Sequence, residues 1–180
     1  MDIAIAGVFT PNGQGKTYGI LAALSGVNTG SFMVEKYTVL TSTPSSLSVQ
    51  DLNDDRQMDL VALTDIAGSS VVMYLPGRGN GTFNGPGLFP LGTQALMHRM
   101  LVKDMNLDGL PDAVLWDAMD SRVRIMLGGP GQMFHDSGQE YQLPGGPSSL
   151  DLGDMNYDGL PDLAITYGTG TPLEIRLNSP

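Results

Sequence analysis

An Asp-rich pattern of nine residues occurs three times in this chain and constrains its fold more than any other feature of the sequence. Each copy has Asp, Asn, Asp and Asp at positions one, three, five and nine, and the copies are residues 51–59, 104–112 and 154–162. Their ninth positions lie 53 and 50 residues apart. A period of about fifty residues indicates a repeat protein, in which similar units bury their apolar faces against one another.

The acidic residues are concentrated in these copies rather than spread along the chain. The aspartates at the three shared positions of each copy supply nine negative charges, which is nearly the whole formal net charge of −10. Carboxylates gathered in short loops repel one another unless a cation lies among them. The clustering therefore favours cation binding over a solvated acidic surface.

The spacing of the oxygens indicates which cation would bind. Side chains at alternate positions of a tight loop converge on one point, and the backbone carbonyl at position seven adds a ligand. With a water, this gives about six or seven hard oxygen ligands, as Ca²⁺ requires, whereas Mg²⁺ prefers a smaller octahedron with more waters. Zinc and copper prefer thiolates or several imidazoles, but the chain has no cysteine and two histidines.

The sequence therefore predicts about three calcium sites, one in each copy. The predicted ligands are Asp51, Asn53, Asp55, Gln57 and Asp59 in the first copy, Asp104, Asn106, Asp108, Leu110 and Asp112 in the second, and Asp154, Asn156, Asp158, Leu160 and Asp162 in the third. Gly109 and Gly159 occupy position six, where a sharp turn penalises a side chain. The first copy has Arg56 there, so we expect that loop to be strained and its site to be weaker.

The residues after each copy distinguish these loops from EF-hands, which close with a bidentate Glu at position twelve and continue into a helix. Position twelve here is Ala62, Leu115 or Ile165, each within a short apolar run that is typical of a buried strand. One such Asp-Asn-Asp cluster would be equally compatible with a surface turn capped by Asx side chains. Three copies with the same ligand positions and the same following strand favour cation binding.

A second marker recurs in phase with the first, as a Gly-containing turn followed by Phe32, Phe83 or Phe134 at intervals of 51 residues. The two markers order each unit as strand, Asp-rich loop, strand, turn, strand, Gly-containing turn and strand. The strands are predicted near 46–50, 60–65, 70–75 and 87–91 in one unit and near 96–103, 113–117, 122–127 and 139–143 in the next. Four short strands per fifty residues are typical of a β-propeller blade.

These motifs resemble the FG-GAP/VCBS repeats of integrin-alpha-like β-propellers, in which Asp-x-Asn-x-Asp-Gly-x-x-Asp loops join the first two strands of a blade. The resemblance covers essentially the whole chain and implies an all-β propeller of four-stranded antiparallel blades. It also implies calcium ligation at the matching side chains of the three copies, with Arg56 departing from the family's glycine in the first. The Phe-Gly and Gly-Ala-Pro segments are absent, so the likeness is to the shorter bacterial repeats.

The chain is predicted to form one domain, 1–180, with blades near 1–43, 44–92, 93–145 and 146–180. Its first residues align with the run that begins at Met58, so that Asp2 corresponds to the ninth ligand of a loop. Residues 173–177 have the pattern of the third strand of a blade. We therefore expect fourteen strands, grouped as three, four, four and three, which make about three and a half blades. A homo-oligomer or a longer chain is expected to complete the propeller ring.

Composition and charge narrow the expected function. A net charge of −10 disfavours nucleic acid, and no apolar run of 18 residues is present to enter a membrane. Because nine of the nineteen acidic residues are assigned to calcium and the others show no recognisable catalytic pairing, we expect a protein that is not an enzyme. The resemblance implies a module for extracellular protein or glycan recognition or adhesion, secreted or at the cell surface, although the sequence shows no signal peptide. The alternatives are a carbohydrate-binding lectin and an accessory propeller of a secreted polysaccharide-active hydrolase or lyase.

Overall fold

The chain folds into β-strands joined by turns. The computed structural model describes residues 3–9, 18–26, 32–40, 42–91, 97–117, 119, 121–131, 134–168, 170 and 172–179. No helix occurs among these residues, so the described part of the chain has no helix that could cross a membrane.

Fourteen strands are present in the described residues, as the repeat pattern predicts. They are β1 (Ile3–Phe9), β2 (Tyr18–Gly26), β3 (Phe32–Leu40), β4 (Pro44–Gln50), β5 (Asp59–Ile66), β6 (Ser69–Leu75), β7 (Gly87–Pro90), β8 (Arg99–Lys103), β9 (Asp112–Asp117), β10 (Arg122–Leu127), β11 (His135–Gln142), β12 (Pro147–Gly153), β13 (Asp162–Tyr167) and β14 (Glu174–Arg176).

Consecutive strands pair antiparallel and form four sheets. The first sheet is β1–β3, the second β4–β7, the third β8–β11 and the fourth β12–β14, and within each sheet the strands lie side by side in chain order. The grouping into three, four, four and three strands agrees with the sequence prediction. The all-β architecture of antiparallel propeller-type blades is therefore confirmed.

The strand that follows each Asp-rich copy is a central strand of its sheet. All six residues of β9 are buried, and so are the first six residues of β5. Each of these strands has a hydrogen-bonded neighbour on both sides. A continuous apolar run is what such a position requires, because alternating polar residues would be buried without partners.

The chain divides into two compact units, Met1–Ala95 and Leu96–Pro180. The first unit contains the first and second sheets. Part of its core is an apolar cluster contributed by β3, β5 and β6, namely Leu40, Leu60, Ala62, Met73 and Leu75. One face of the second sheet thus packs against a strand of the first. That the two units belong to a single domain stays a prediction.

The second unit contains the third and fourth sheets, which share one apolar cluster. The third sheet and its Asp-rich loop contribute Met105, Val114, Trp116, Val123 and Ile125, and the fourth sheet contributes Leu150, Leu163 and Ile165, with Leu143 between the two sheets. Val114 and Trp116 lie two and four residues after Asp112. They pack in the same cluster as Leu163 and Ile165, which lie one and three residues after Asp162. Because side chains alternate along a strand, the two sheets contact each other through opposite faces.

The predicted strand boundaries agree with the structure to within a few residues except at β8 and β11. β8 begins at Arg99, and part of its predicted start lies outside the described residues. β11 begins at His135 rather than near residue 139. A register shift between Arg124 and Met126 of β10 allows the strand to extend over Asp, Ser and Gly residues that favour turns. Pairing with β10 overrides that local preference.

Candidate metal centres in the Asp-rich loops

Each Asp-rich copy forms the connection between the first and second strands of a sheet. Loop 1, loop 2 and loop 3 are defined here as residues 51–59, 104–112 and 154–162. They join β4 to β5, β8 to β9 and β12 to β13, and the ninth residue of each loop is the first residue of the following strand. The three loops therefore occupy equivalent places in the second, third and fourth sheets.

Positions three, five and seven of each loop are held together by local hydrogen bonds. In loop 2, Asn106 Oδ1 accepts from the amide of Asp108 at 3.0 Å, and Asp108 Oδ1 accepts from the amide of Leu110 at 2.8 Å. The Asn106 side-chain amide donates to Asp108 Oδ2 at 3.0 Å. Loops 1 and 3 repeat these three bonds. Such Asx-type bonds fold the loop through contacts of short sequence separation.

The aspartate at position one closes each loop by bonding to position six. Asp104 Oδ2 accepts a hydrogen bond from the amide of Gly109 at 2.9 Å. The corresponding bonds in loop 1 and loop 3 are 2.8 Å and 2.9 Å long. The carboxylates at positions one and five therefore lie on the same short turn.

Loop 2 differs from the other two at the second oxygen of position one. In loops 1 and 3 this oxygen accepts a hydrogen bond of 3.2 Å from the amide at position five. The equivalent atom of loop 2, Asp104 Oδ1, is buried and has no hydrogen-bond partner in the described part of the chain. A buried carboxylate oxygen without a donor is unfavourable, so loop 2 presents an oxygen that a cation would stabilise.

The aspartate at position nine is the most buried residue of each loop, with an exposed fraction of 0% for Asp59, Asp112 and Asp162. One carboxylate oxygen accepts a hydrogen bond from the amide at position two, at 3.1, 2.8 and 2.7 Å in loops 1, 2 and 3. The other oxygen accepts an amide from the residues that follow the third strand of the same sheet, at 2.7, 2.7 and 2.8 Å. This residue therefore ties the loop to a distant turn.

The distant donors are Gly77, Gly128 and Asn178, which occupy equivalent positions in the strand register. A Cβ added at Gly77 would lie 2.2 Å from the carbonyl oxygen of Met58, and one at Gly128 would lie 2.4 Å from that of Pro111. Glycine is therefore required wherever the turn passes this close to position eight of the loop. The sequence prediction used these glycines only as markers of the repeat, and it did not identify them as partners of the ninth aspartate.

Asn178 takes the place of glycine in the fourth sheet and makes an additional contact. Its backbone amide donates to Asp162, and its side-chain amide donates to the carbonyl oxygen of Met105 in loop 2 at 2.7 Å. Asn178 thus connects the fourth sheet with a loop of the third. The sequence gives no periodic signal for this contact, because the residue differs from its two equivalents.

Two positions in each loop have a left-handed backbone. At position four, Asp54, Leu107 and Tyr157 have φ of 58°, 58° and 63°. At position six, Arg56 has φ of 65°, whereas the glycines of loops 2 and 3 have φ of 88° and 91°. The structure thus gives loop 1 the left-handed arginine that the sequence leads us to expect, and this conformation is unfavourable for a residue with a Cβ.

We expect Arg56→Gly to raise the free energy of unfolding by about 0.5–1 kcal/mol, because glycine adopts the left-handed conformation without steric strain. Urea denaturation in the presence of a chelator measures this change without a contribution from metal. Arg56→Ala is the control, since it removes the same guanidinium but keeps the Cβ. Equal stabilisation by both variants would show that charge rather than backbone strain is responsible.

Burial and the nearby negative charges raise the pKa of one side chain in loop 2 and of another beside loop 1. Burial raises the pKa of Asp112, as do the charges of Asp108 and Asp104, while its two backbone hydrogen bonds oppose the shift. In the second sheet, burial and a hydrogen bond to Asp59 raise the pKa of Tyr74, whose hydroxyl donates to Asp59 Oδ2 at 3.0 Å. A cation among these carboxylates would offset their mutual repulsion.

The predicted ligands thus lie within three compact loops, although they are engaged with one another and with backbone amides. Among the residues that the structure describes, no three His, Cys, Asp or Glu side chains are gathered as a metal-binding group. The residues at position seven, Gln57, Leu110 and Leu160, donate their amides to position five. Asp2, the predicted ninth ligand of a further loop, lies outside the described residues.

Four of the described acidic residues outside the loops have side-chain partners of their own. Arg124 pairs with Asp136, Arg122 with Glu140 at 2.9 Å, and Arg176 with Glu174 at 2.6 Å. The hydroxyl of Tyr167 also donates a hydrogen bond to Glu174. Burial and, to a smaller extent, this acid raise the pKa of Tyr167 to about 12. Buried Asp117 bonds to His98 and accepts the amide of Met119.

The repeated sheets and loops define a β-propeller-type repeat protein. The model of the FG-GAP-like repeat matches residues 51–115 and, in a second match, residues 104–165. These matches together cover more than half of the chain, and the chain therefore belongs to the FG-GAP-like repeat family. Each match contains two of the Asp-rich loops. A comparison with curated proteins finds no match.

Proposed function

We propose that this protein is a calcium-binding recognition module without enzymatic activity, which acts outside the cell or at its surface on a protein or glycan. The observation that carries the metal assignment is the buried Asp104 Oδ1, which has no hydrogen-bond donor among the described residues. It lies at position one of a loop whose other side-chain ligands are also oxygens. Hard oxygen donors at this spacing suit Ca²⁺ better than Zn²⁺ or Cu²⁺.

In loop 2 the ion would be held by the side chains of Asp104, Asn106, Asp108 and Asp112 and by the carbonyl of Leu110. Loop 3 offers the equivalent set, Asp154, Asn156, Asp158, Asp162 and Leu160, and loop 1 offers Asp51, Asn53, Asp55, Asp59 and Gln57. Bound calcium supplies two positive charges per loop, so that three ions would reduce the formal charge from −10 to about −4.

The three loops should differ in affinity because their hydrogen bonds differ. In loop 1 the Asp59 carboxylate already accepts three hydrogen bonds, from the amides of Leu52 and Gly77 and from the hydroxyl of Tyr74. Arg56 adds a positive charge at position six. The ninth aspartates of loops 2 and 3 each accept two. We therefore expect loop 2 to bind calcium most tightly and loop 1 least tightly.

The recognition role is supported by the apolar and aromatic side chains that loops 2 and 3 expose to solvent. The left-handed backbone at position four is occupied by Leu107, which is 57% exposed, and by Tyr157, which is 93% exposed. Apolar and aromatic side chains held on short hydrogen-bonded loops lose little entropy on binding and are common contact residues for protein and sugar partners. Metal in the loop would further restrict the backbone that carries them.

Calcium should bind the metal-free chain and raise its melting temperature. Extracellular calcium modules have dissociation constants of roughly 10⁻⁴–10⁻³ M, so at millimolar calcium each site contributes on the order of 1 kcal/mol. Asp108→Ala should remove the contribution of loop 2, and because Asp108 is exposed and bonds locally, the variant should still fold in chelator. Calorimetric titration and thermal melts measure both effects.

Asp65→Ala is the matched control, because it removes one exposed carboxylate outside the loops. It should leave the calcium response unchanged. Absence of binding heat, together with identical melts in calcium and chelator, would contradict the metal assignment. A glycan array separates a sugar ligand from a protein ligand, and turnover of a polysaccharide by the purified chain would contradict the non-enzymatic role.

A further inference from the structure

Four large apolar side chains are exposed together on the fourth sheet and its loop. They are Met155, Leu173, Ile175 and Leu177, whose exposed fractions are 45%, 62%, 42% and 56%. Residues 173, 175 and 177 alternate along the extended segment that contains β14, so they share one side of it. We call these four residues the end face.

In the other sheets the equivalents of Met155, Leu173 and Ile175 are buried, and those of Leu177 are half-buried. Ile175 pairs with Ala164, two residues after the ninth aspartate, and corresponds to Ile125 of the third sheet and Tyr74 of the second. Ile125 is 6% exposed and Tyr74 is 3% exposed. Met155 corresponds to Met105, which is 5% exposed. The end face therefore carries the apolar side chains of an internal face at these positions and is open in the described residues, although exposed Asp151 lies on the same side of the sheet, opposite Ala164.

The structure also shows what covers such a face. In the second unit, Met105, Val123 and Ile125 of the third sheet and its loop lie in one cluster with Leu163 and Ile165 of the fourth sheet. The covering residues are one and three positions after a ninth aspartate. In the first unit, Leu40 of the first sheet shares a cluster with Leu60 and Ala62, which are one and three residues after Asp59. In both units, one sheet thus covers its neighbour with the side chains one and three residues after its ninth aspartate.

We propose that the end face binds a second copy of this chain through the first sheet of that copy. By alignment of the repeats, Ile3 and Ile5 occupy the register positions of Leu60 and Ala62. Their strand partners in β2 are Leu24 and Ala22, which are also apolar. The first sheet thus has, at its covering positions, the residue types that cover an apolar face elsewhere in the chain.

Such a contact joins different surfaces of the two copies, so it generates a closed ring or an open chain rather than an isologous dimer. Each copy has a net charge of −10, and the resulting repulsion weakens association at low ionic strength. Association driven by apolar burial should therefore strengthen as salt screens the charge.

The oligomeric state of the 180-residue chain tests the proposal. Light scattering coupled to size exclusion should show association that increases with protein concentration and salt. Ile175→Lys should raise the dissociation constant about tenfold or more, because it buries an unpaired charge in the contact. Met119→Lys is the control, since it makes the same change at a residue that is 92% exposed and outside the end face. A wild-type chain that stays monomeric at all concentrations would overturn the proposal.

Single-cysteine variants identify the surface that is bound, and the chain has no cysteine of its own. When chains carrying Ile175→Cys are mixed with chains carrying Ile5→Cys and a short bis-maleimide cross-linker, mixed cross-linked dimers should form, whereas Met119→Cys should not replace Ile175→Cys. Packed sheets lie about 10 Å apart, which exceeds the Cα separation of about 7 Å that a disulfide can span but is within reach of the cross-linker, so a close contact is reported. Efficient pairing of Ile175→Cys with itself, without pairing to Ile5→Cys, would overturn the assignment of the first sheet as the partner surface.

Discussion

Replacing Asp59 with alanine should lower the free energy of unfolding by about 3 kcal/mol, even when no metal is present. Asp59 is fully buried and accepts hydrogen bonds from the amides of Leu52 and Gly77 and from the hydroxyl of Tyr74. Alanine leaves these three donors without an acceptor in the interior. Hydrogen bonds to a charged acceptor contribute about 1.5–3 kcal/mol each, and relief of carboxylate desolvation offsets part of the loss.

Chemical denaturation in chelator measures this loss, and Asp65→Ala is the control. Asp65 lies on the same strand but is exposed, so its replacement should change the free energy of unfolding by less than about 0.5 kcal/mol. A loss at Asp59 no larger than that at Asp65 would show that the ninth aspartate acts only through metal. A loss that persists in chelator would establish its role as a structural acceptor.

The second large effect is expected at the glycine that faces this aspartate. Gly77→Ala should destabilise the chain by about 2–3 kcal/mol, because the new Cβ would lie 2.2 Å from the carbonyl oxygen of Met58. The obstacle is a backbone atom, which cannot rotate away as a side chain would. Relief of the clash must move the turn and lengthen the 2.7 Å bond from the Gly77 amide to Asp59.

Gly85→Ala provides the control within the same sheet, because a Cβ at Gly85 meets no atom within 4 Å. That variant should be neutral or stabilising by a few tenths of a kcal/mol, through the unfolded chain. Urea denaturation of the two variants in parallel gives the comparison. Equal stabilities for Gly77→Ala and Gly85→Ala would contradict the close approach of turn and loop.

The sequence predicts the number and grouping of the strands because both follow from local, periodic signals. Apolar runs after the three loops identify β5, β9 and β13, and turn residues separate the remaining strands. The same reasoning places the beginning of β11 four residues too late, because Asp136, Ser137 and Gly138 favour a turn. Their inclusion in the strand depends on pairing with β10 and on the ion pair between Arg124 and Asp136, which are not local properties.

The candidate site could be predicted only in part, for a similar reason. The spacing of Asp, Asn and Asp identifies the side chains that fold each loop, since their hydrogen bonds span two to five residues. The partner of the ninth aspartate lies 16 to 18 residues away, and Asn178 replaces glycine in the fourth sheet. In the sequence, only the recurrence of the ninth aspartate and of the glycine after the third strand at a nearly constant separation could have indicated that these two residues meet.

Local hydrogen bonds give these loops a folded form that does not depend on metal. Positions one, three and five are bonded to the amides of the same loop, and position nine is fixed by the sheet. Calcium would therefore bind loops that are largely preorganised, which reduces the ordering cost of binding. We accordingly expect calcium to add to the stability of the sheets rather than to be required for folding.

The most direct test of calcium binding is a crystal structure grown in millimolar calcium, with anomalous scattering used to locate the ions. The account predicts a calcium peak in loop 2, about 2.3–2.6 Å from side-chain oxygens of Asp104 and Asp108, and a second peak at the equivalent position in loop 3. Loops without anomalous peaks, in which Asp104 Oδ1 instead acquires a protein or water donor, would contradict it.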